Sequence, residues 1–141
     1  MKRSIHTAMF LALVLGGCKR DDLNLDALTT NPFDADYNGP AIFSKVGERT
    51  VPYTLGGITY HRLELDVRVN TGLLPAGAGY GVSYRAPGVS AAVVVPAAEL
   101  VDGLFTLNIL QVTSGQNYCA EVKLTNNGGS GGGNALCGTA E

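Results

Sequence analysis

Residues 59–70, TYHRLELDVRVN, set Leu63, Leu65, Val67 and Val69 in alternation with Glu64, Asp66 and Arg68. A repeat of two places every second side chain on one face, so the stretch predicts a β-strand with one dry and one wet side. Wound as a helix, the same residues would scatter their apolar side chains around the axis. Such a strand needs neighbours, and its dry face needs a second layer to cover it. The 141-residue chain has 19 glycines and is rich in Val, Ala and Thr but sparse in Lys and Glu, which favours strands and turns over helices. No repeat period and no heptad runs through it.

Six further stretches carry strand signals. Ala41–Val46 reads as a short edge strand. Tyr80–Arg85 alternates Tyr80, Val82 and Tyr84 on one face, and Ala91–Val95 is stopped by Pro96. Leu104–Val112, Asn117–Thr125 and a short Asn134–Thr139 complete the set. Between them lie a Pro75-containing loop at 71–79 and turns at Ala86-Pro87-Gly88 and Thr113-Ser114-Gly115. A glycine-rich stretch at 128–133 reads as a floppy loop, because glycine loses the most entropy on ordering. Seven short strands separated by turn signals predict an all-β, antiparallel sandwich, with a small closed barrel as the alternative. On the sixth strand Tyr118, Ala120, Val122 and Leu124 share the inward parity, which turns Cys119 outward.

The chain opens with Lys2 and Arg3, an apolar run Ala8–Leu15, then Leu15-Gly16-Gly17-Cys18. The run is too short to span a bilayer, which takes about 20 residues. This order resembles the lipobox of bacterial lipoproteins. The resemblance implies a leader at 1–17, cleavage before Cys18 and acylation of Cys18, which several acyl chains make a durable anchor. Lys19 lacks the aspartate that retains many enteric lipoproteins at the inner membrane, so the outer membrane is expected, at its periplasmic face or the cell surface. Asp21-Asp22 loosely resembles the surface-export signal of Bacteroidota lipoproteins. Residues 18–38, KR-DD-rich and without periodicity, read as a lipidated start and tether, and 39–141 as the domain. In an exported chain the remaining pair, Cys119 and Cys137, predicts a disulfide worth roughly 3 kcal/mol, with two buried free thiols as the alternative. The bond would clamp the glycine loop.

The strand spacing resembles fibronectin type III domains within the wider immunoglobulin-like group. The match is clearest over Val112-Thr-Ser-Gly115-Gln-Asn-Tyr118-Cys-Ala120-Glu-Val122-Lys-Leu124-Thr-Asn126, with Tyr80-x-Val82-x-Tyr84-Arg85 resembling the third strand. It implies that Tyr118 is the corner tyrosine tying a loop to its strand. The chain departs from the family in having no tryptophan for the second strand and Ser114 where a proline is common.

Without Lys2 and Arg3, eight basic side chains face twelve acidic ones, a formal charge of −4 that argues against nucleic acid. Asp34-Ala-Asp36-Tyr-Asn38-Gly39 resembles the start of an EF-hand calcium loop, but Lys45 stands where a bidentate Glu belongs and no helix precedes it, so it reads as a solvated turn. His61, the one histidine of the mature chain, shares parity with Leu63 and reads as partly buried at a sheet edge. Asp66 with Ser83 or Ser90 could be imagined around it, yet no Gly-x-Ser-x-Gly elbow exists. No phosphate loop and no metal cluster are legible, so no cofactor and no catalysis are expected. The expectation is a non-catalytic accessory or protein-binding module of the envelope, with glycan or small-ligand binding as the alternative. Leu73 and Leu74, in a loop that would ordinarily be polar, are candidates for partner contact or for capping the core.

The anchor is directly testable. Cys18→Ser is expected to move the protein from the membrane to the soluble fraction and abolish labelling by fatty acid, and unchanged mass and membrane retention would refute it.

Overall fold

A computed structural model describes residues 30–126 and 129–141. The leader, Cys18 and the tether as far as residue 29 lie outside the described residues. Seven strands follow one another: β1 (Phe43–Leu55), β2 (Ile58–Val69), β3 (Gly81–Arg85), β4 (Val93–Val95), β5 (Leu104–Leu110), β6 (Asn117–Asn126) and β7 (Gly129–Thr139). All pair antiparallel, in two sheets ordered β1-β2-β5 and β4-β3-β6-β7. The sheets pack as an all-β sandwich. Single 3-10 turns sit at Thr71–Leu73 and Ala97–Glu99.

Alternation decides the interior. Leu63, Leu65, Val67 and Val69 of β2 and Phe105, Leu107 and Ile109 of β5 face Val82 and Tyr84 of β3 and Ala120, Val122 and Leu124 of β6, all buried. With no tryptophan available, bulk at one end comes from Phe43 and Phe105, whose rings meet edge to face at 6.4 Å. The Tyr84 hydroxyl spans the layers and accepts a hydrogen bond from Asn108 N–H at 3.3 Å.

Two elements differ from the sequence reading. The first strand runs to Leu55 instead of stopping at Val46. A bulge between Lys45 and Gly47 shifts its phase, and beyond it the inward positions are Glu48 and Thr50, polar residues at the open side of the sandwich that leave no hydrophobic period to read. β1 then turns directly into β2 through Gly56-Gly57, whose φ angles of +60° and +81° match a turn that requires left-handed backbone at both positions. Because this hairpin overshoots the core, His61 is exposed although it keeps the parity of Leu63.

The glycine stretch is the second difference. Gly129–Gly133 belongs to β7 and pairs with β6, so the disulfide clamps a strand ladder and not a floppy loop. The reason lies in residues 32–37, assigned to the tether by composition, which rest on β7. Pro32 is buried, and its carbonyl accepts from Gly132 N–H at 2.8 Å. A β-carbon on Gly131 would stand 2.9 Å from Phe33 Cα, and one on Gly132 2.6 Å from Tyr37 Cβ. The glycines are there so that a second piece of backbone can lie on the strand.

Asn134 on β7 closes the sandwich at the β1 side. Its carboxamide accepts from Phe43 N–H at 3.0 Å and donates to Phe43 C=O at 3.1 Å, so a side chain completes a ladder rung between the two sheets. Asn134→Ala leaves both backbone groups of a buried residue without that partner and is expected to cost about 2 kcal/mol. Asn134→Asp, which can accept but not donate, should also destabilise in urea melts, and wild-type midpoints for both variants would show that the bridge contributes nothing.

Candidate functional site

On the outer face of the three-stranded sheet, β2 presents Arg62, Glu64, Asp66 and Arg68. Register places Arg49 of β1 opposite Glu64 and Thr106 of β5 opposite Asp66. The charges interlock. Arg49 reaches Glu64 at 2.6 Å and Asp66 at 2.7 Å, Arg62 reaches Glu64 at 2.7 Å, and Thr106 Oγ1 donates to Asp66 at 2.9 Å. Glu64 is thereby only 7% exposed, buried beneath two guanidinium groups. The hydrogen bond with Asp66, aided by the charges of Asp66 and Glu64, holds the Arg49 pKa above its ordinary value. Both carboxylates are committed to arginine, an arrangement that suits structure better than proton transfer.

Next to this ladder lies a groove of about 520 Å³. Its walls are Val46 at the β1 bulge, Leu104, Phe105 and Thr106 of β5, Asp66, and Glu99 of the neighbouring 3-10 turn. Val46 is 52% exposed and Leu104 37%, and Val101 stands exposed nearby. The bulge that lengthens β1 also pushes Val46 outward to make one wall. Apolar sides with a carboxylate at the rim suit a chain segment that carries an aliphatic stem and a cationic head.

The residues singled out from sequence fall elsewhere. Leu73 and Leu74 are half-buried and pack against the core, Leu73 within the 3-10 turn. Both lie in the connection between β2 and β3 and keep part of their surface open to water. Tyr118 is half-buried, and its hydroxyl accepts from Thr113 N–H at 2.9 Å, tying the β5–β6 connection to the start of β6. Asp34 Oδ1 accepts from Asp36 N–H at 2.9 Å and the Asp34 carbonyl accepts from Tyr37 N–H at 3.3 Å, a local turn. Among the described residues no group of three or more His, Cys, Asp or Glu is placed to hold a metal ion. Sequence reasoning missed the groove and the β1–β2 arm. The one legible sign of the arm was Leu55-Gly-Gly-Ile58, a two-glycine turn between aliphatic residues.

No family model, no curated protein and no solved structure matches the chain.

Cys119 and Cys137 are joined across β6 and β7, directly opposite in register with Cα atoms 4.0 Å apart and both residues exposed. Non-reducing peptide mapping is expected to recover the two peptides linked. The paired Cys119→Ala and Cys137→Ala variant should lose roughly 3 kcal/mol, the loop-closure value for a ring of this length. Recovery of free thiols from rapidly alkylated cells would contradict the pairing.

Proposed function

We propose that the chain is a bacterial outer-membrane lipoprotein, anchored through acylated Cys18, whose domain is a non-catalytic, protein-binding accessory module of an envelope complex. The domain is read as an immunoglobulin-like sandwich of fibronectin type III character. Supporting that form are the three-plus-four partition of the strands, with β4 joined to β3, and the tie between the Tyr118 hydroxyl and the Thr113 backbone. Anchoring rests on Leu15-Gly16-Gly17-Cys18.

The groove beside Leu104 carries the binding reading. An apolar surface left open next to a fully satisfied ion-pair ladder is unfavourable in isolation and useful in contact. No tyrosine lines it, which favours a protein segment over a stacked sugar. Glu99 makes no ion pair among the described residues and offers its charge to a partner's Lys or Arg. The tether adds reach and raises the local concentration of neighbours in the same membrane.

Val46→Glu and Leu104→Glu alter exposed side chains and should leave the melting temperature unchanged. Each is expected to weaken capture of the cross-linked partner in native membranes by about tenfold or more, as loss of an apolar anchor does. If both variants retain the same cross-linked neighbours at wild-type yield, the groove is not the contact.

A further inference from the structure

The β1–β2 hairpin projects past the rest of the fold. Pairing of β2 with β5 ends at Arg62 opposite Leu110, with one more bond from Val112 N–H to His61 C=O. Beyond that point the two strands hold only each other, through Pro52–His61, Tyr53–Tyr60, Thr54–Thr59 and Leu55–Ile58. The polarity of the strands reverses there. Within the sandwich the even positions of β2 are charged and face water, while in the arm the same face carries Val51, Tyr53, Leu55, Ile58 and Tyr60.

The chemistry is layered along the arm. Leu55 and Ile58 occupy the tip, 61% and 59% exposed, on either side of Gly56-Gly57. One rung behind on the same face, the Tyr53 and Tyr60 rings lie against each other at 5.8 Å. A further rung back stands Arg62, with Arg49 behind it. Aliphatic end, tyrosine ring, then cations is the order in which a leaflet presents acyl chains, interface and phosphates. At about 3.3 Å per residue, the tyrosines sit roughly 7 Å behind the tip, within the depth to which interfacial elements enter a bilayer.

The other face of the arm decides between occupants. Pro52, Thr54, Thr59 and His61 carry no Asp, Glu, Lys or Arg, and residues 50–61 as a whole contain none. A protein partner covering the apolar face would leave the opposite face free to carry charge. A lipid surface surrounds the tip and disfavours charge on every side. We infer that the tip of the β1–β2 arm enters the interface of a phospholipid bilayer, with Leu55 and Ile58 among the acyl chains and Tyr53 and Tyr60 at the headgroups.

The inference rests on the anchoring reading only for the choice of bilayer. Residues 32–37 lie on β7 at the end where Asn134 meets Phe43, and β1 carries the tip roughly 40 Å from there. The twelve Cα-to-Cα steps from Cys18 to Thr30 also span up to about 40 Å. Acyl chains and tip can therefore share one leaflet with the domain inclined to it. Two attachments fix an orientation that one tether cannot.

Because the chain has no tryptophan, Tyr60→Trp gives an indole that reports the arm alone. Residues 18–141 carrying Tyr60→Trp and Cys18→Ser would be held by an N-terminal hexahistidine on nickel-lipid vesicles of phosphatidylethanolamine and phosphatidylglycerol. This separates the arm from the question of acylation. The expected result is a blue-shifted emission quenched by brominated acyl chains. Adding Leu55→Asp and Ile58→Asp should abolish both effects while leaving the melting temperature unchanged. Emission identical on vesicles and in buffer overturns the inference, as does a blue shift that grows with protein concentration without lipid, which would assign the face to a second copy of the chain. Fatty-acid labelling of Cys18 in cells tests the anchor separately, so either reading can fail without the other.

Discussion

One carboxamide holds the two sheets in register at the open side of this sandwich. Asn134 bonds to both backbone groups of Phe43, which no strand neighbour in its own layer does from across the core. The bridge sets where β1 starts and seats the Phe43 ring against Phe105. It also orders the surroundings. The 32–37 strap lies beside it on Gly131 and Gly132, and farther along the same side the Glu141 N–H donates to Thr50 Oγ1. A small core without tryptophan has little area to spare, so a directional bond at the seam does what a larger core would do by bulk.

How legible each element was depends on whether its two faces differ. β2 and β6 have one face in the core and one in water, and their alternation could be read residue by residue. β1 could not, because its inward residues past the bulge are Glu48 and Thr50 and its outward ones include Val46 and Val51. The glycines of β7 misled for a different reason. Composition reports the entropy a glycine loses on ordering, whereas the close approach of Pro32 and Tyr37 is a tertiary fact. Cys119 was placed outward by parity alone, and its partner was the one other cysteine of the sequence beyond Cys18. The groove was invisible, since its walls come from β1, β2, β5 and a 3-10 turn distant in sequence.

The ion-pair ladder explains why the outer face of the smaller sheet is divided instead of uniform. Glu64 has little contact with water and takes two arginines in its place, so its charge is balanced where it is least solvated. Arg49 is half exposed and therefore screened, and its pairing with Asp66 orients side chains more than it stabilises the fold. Orientation has a consequence. With Asp66 fixed by Arg49 on one side and Thr106 on the other, the groove has a rigid acidic wall next to Val46 and Leu104.

The groove and the arm lie on the same face of the same sheet, with the ladder between them. Arg62, Glu64 and Asp66 separate Tyr60 and Ile58 on one side from Leu104 and Val46 on the other. A continuous apolar surface of that length would invite edge-to-edge or face-to-face association of sheets. The charged band of Arg49, Arg62, Glu64 and Asp66 splits it into two patches. It also keeps them apart in space, since a two-stranded arm is marginal alone and gains rigidity from the three-stranded ladder at its base. A partner seated in the groove would not need to displace anything at the tip. Under the proposed roles, the domain can hold a protein and a bilayer at once, and the ladder is the rigid piece that sets the angle between them.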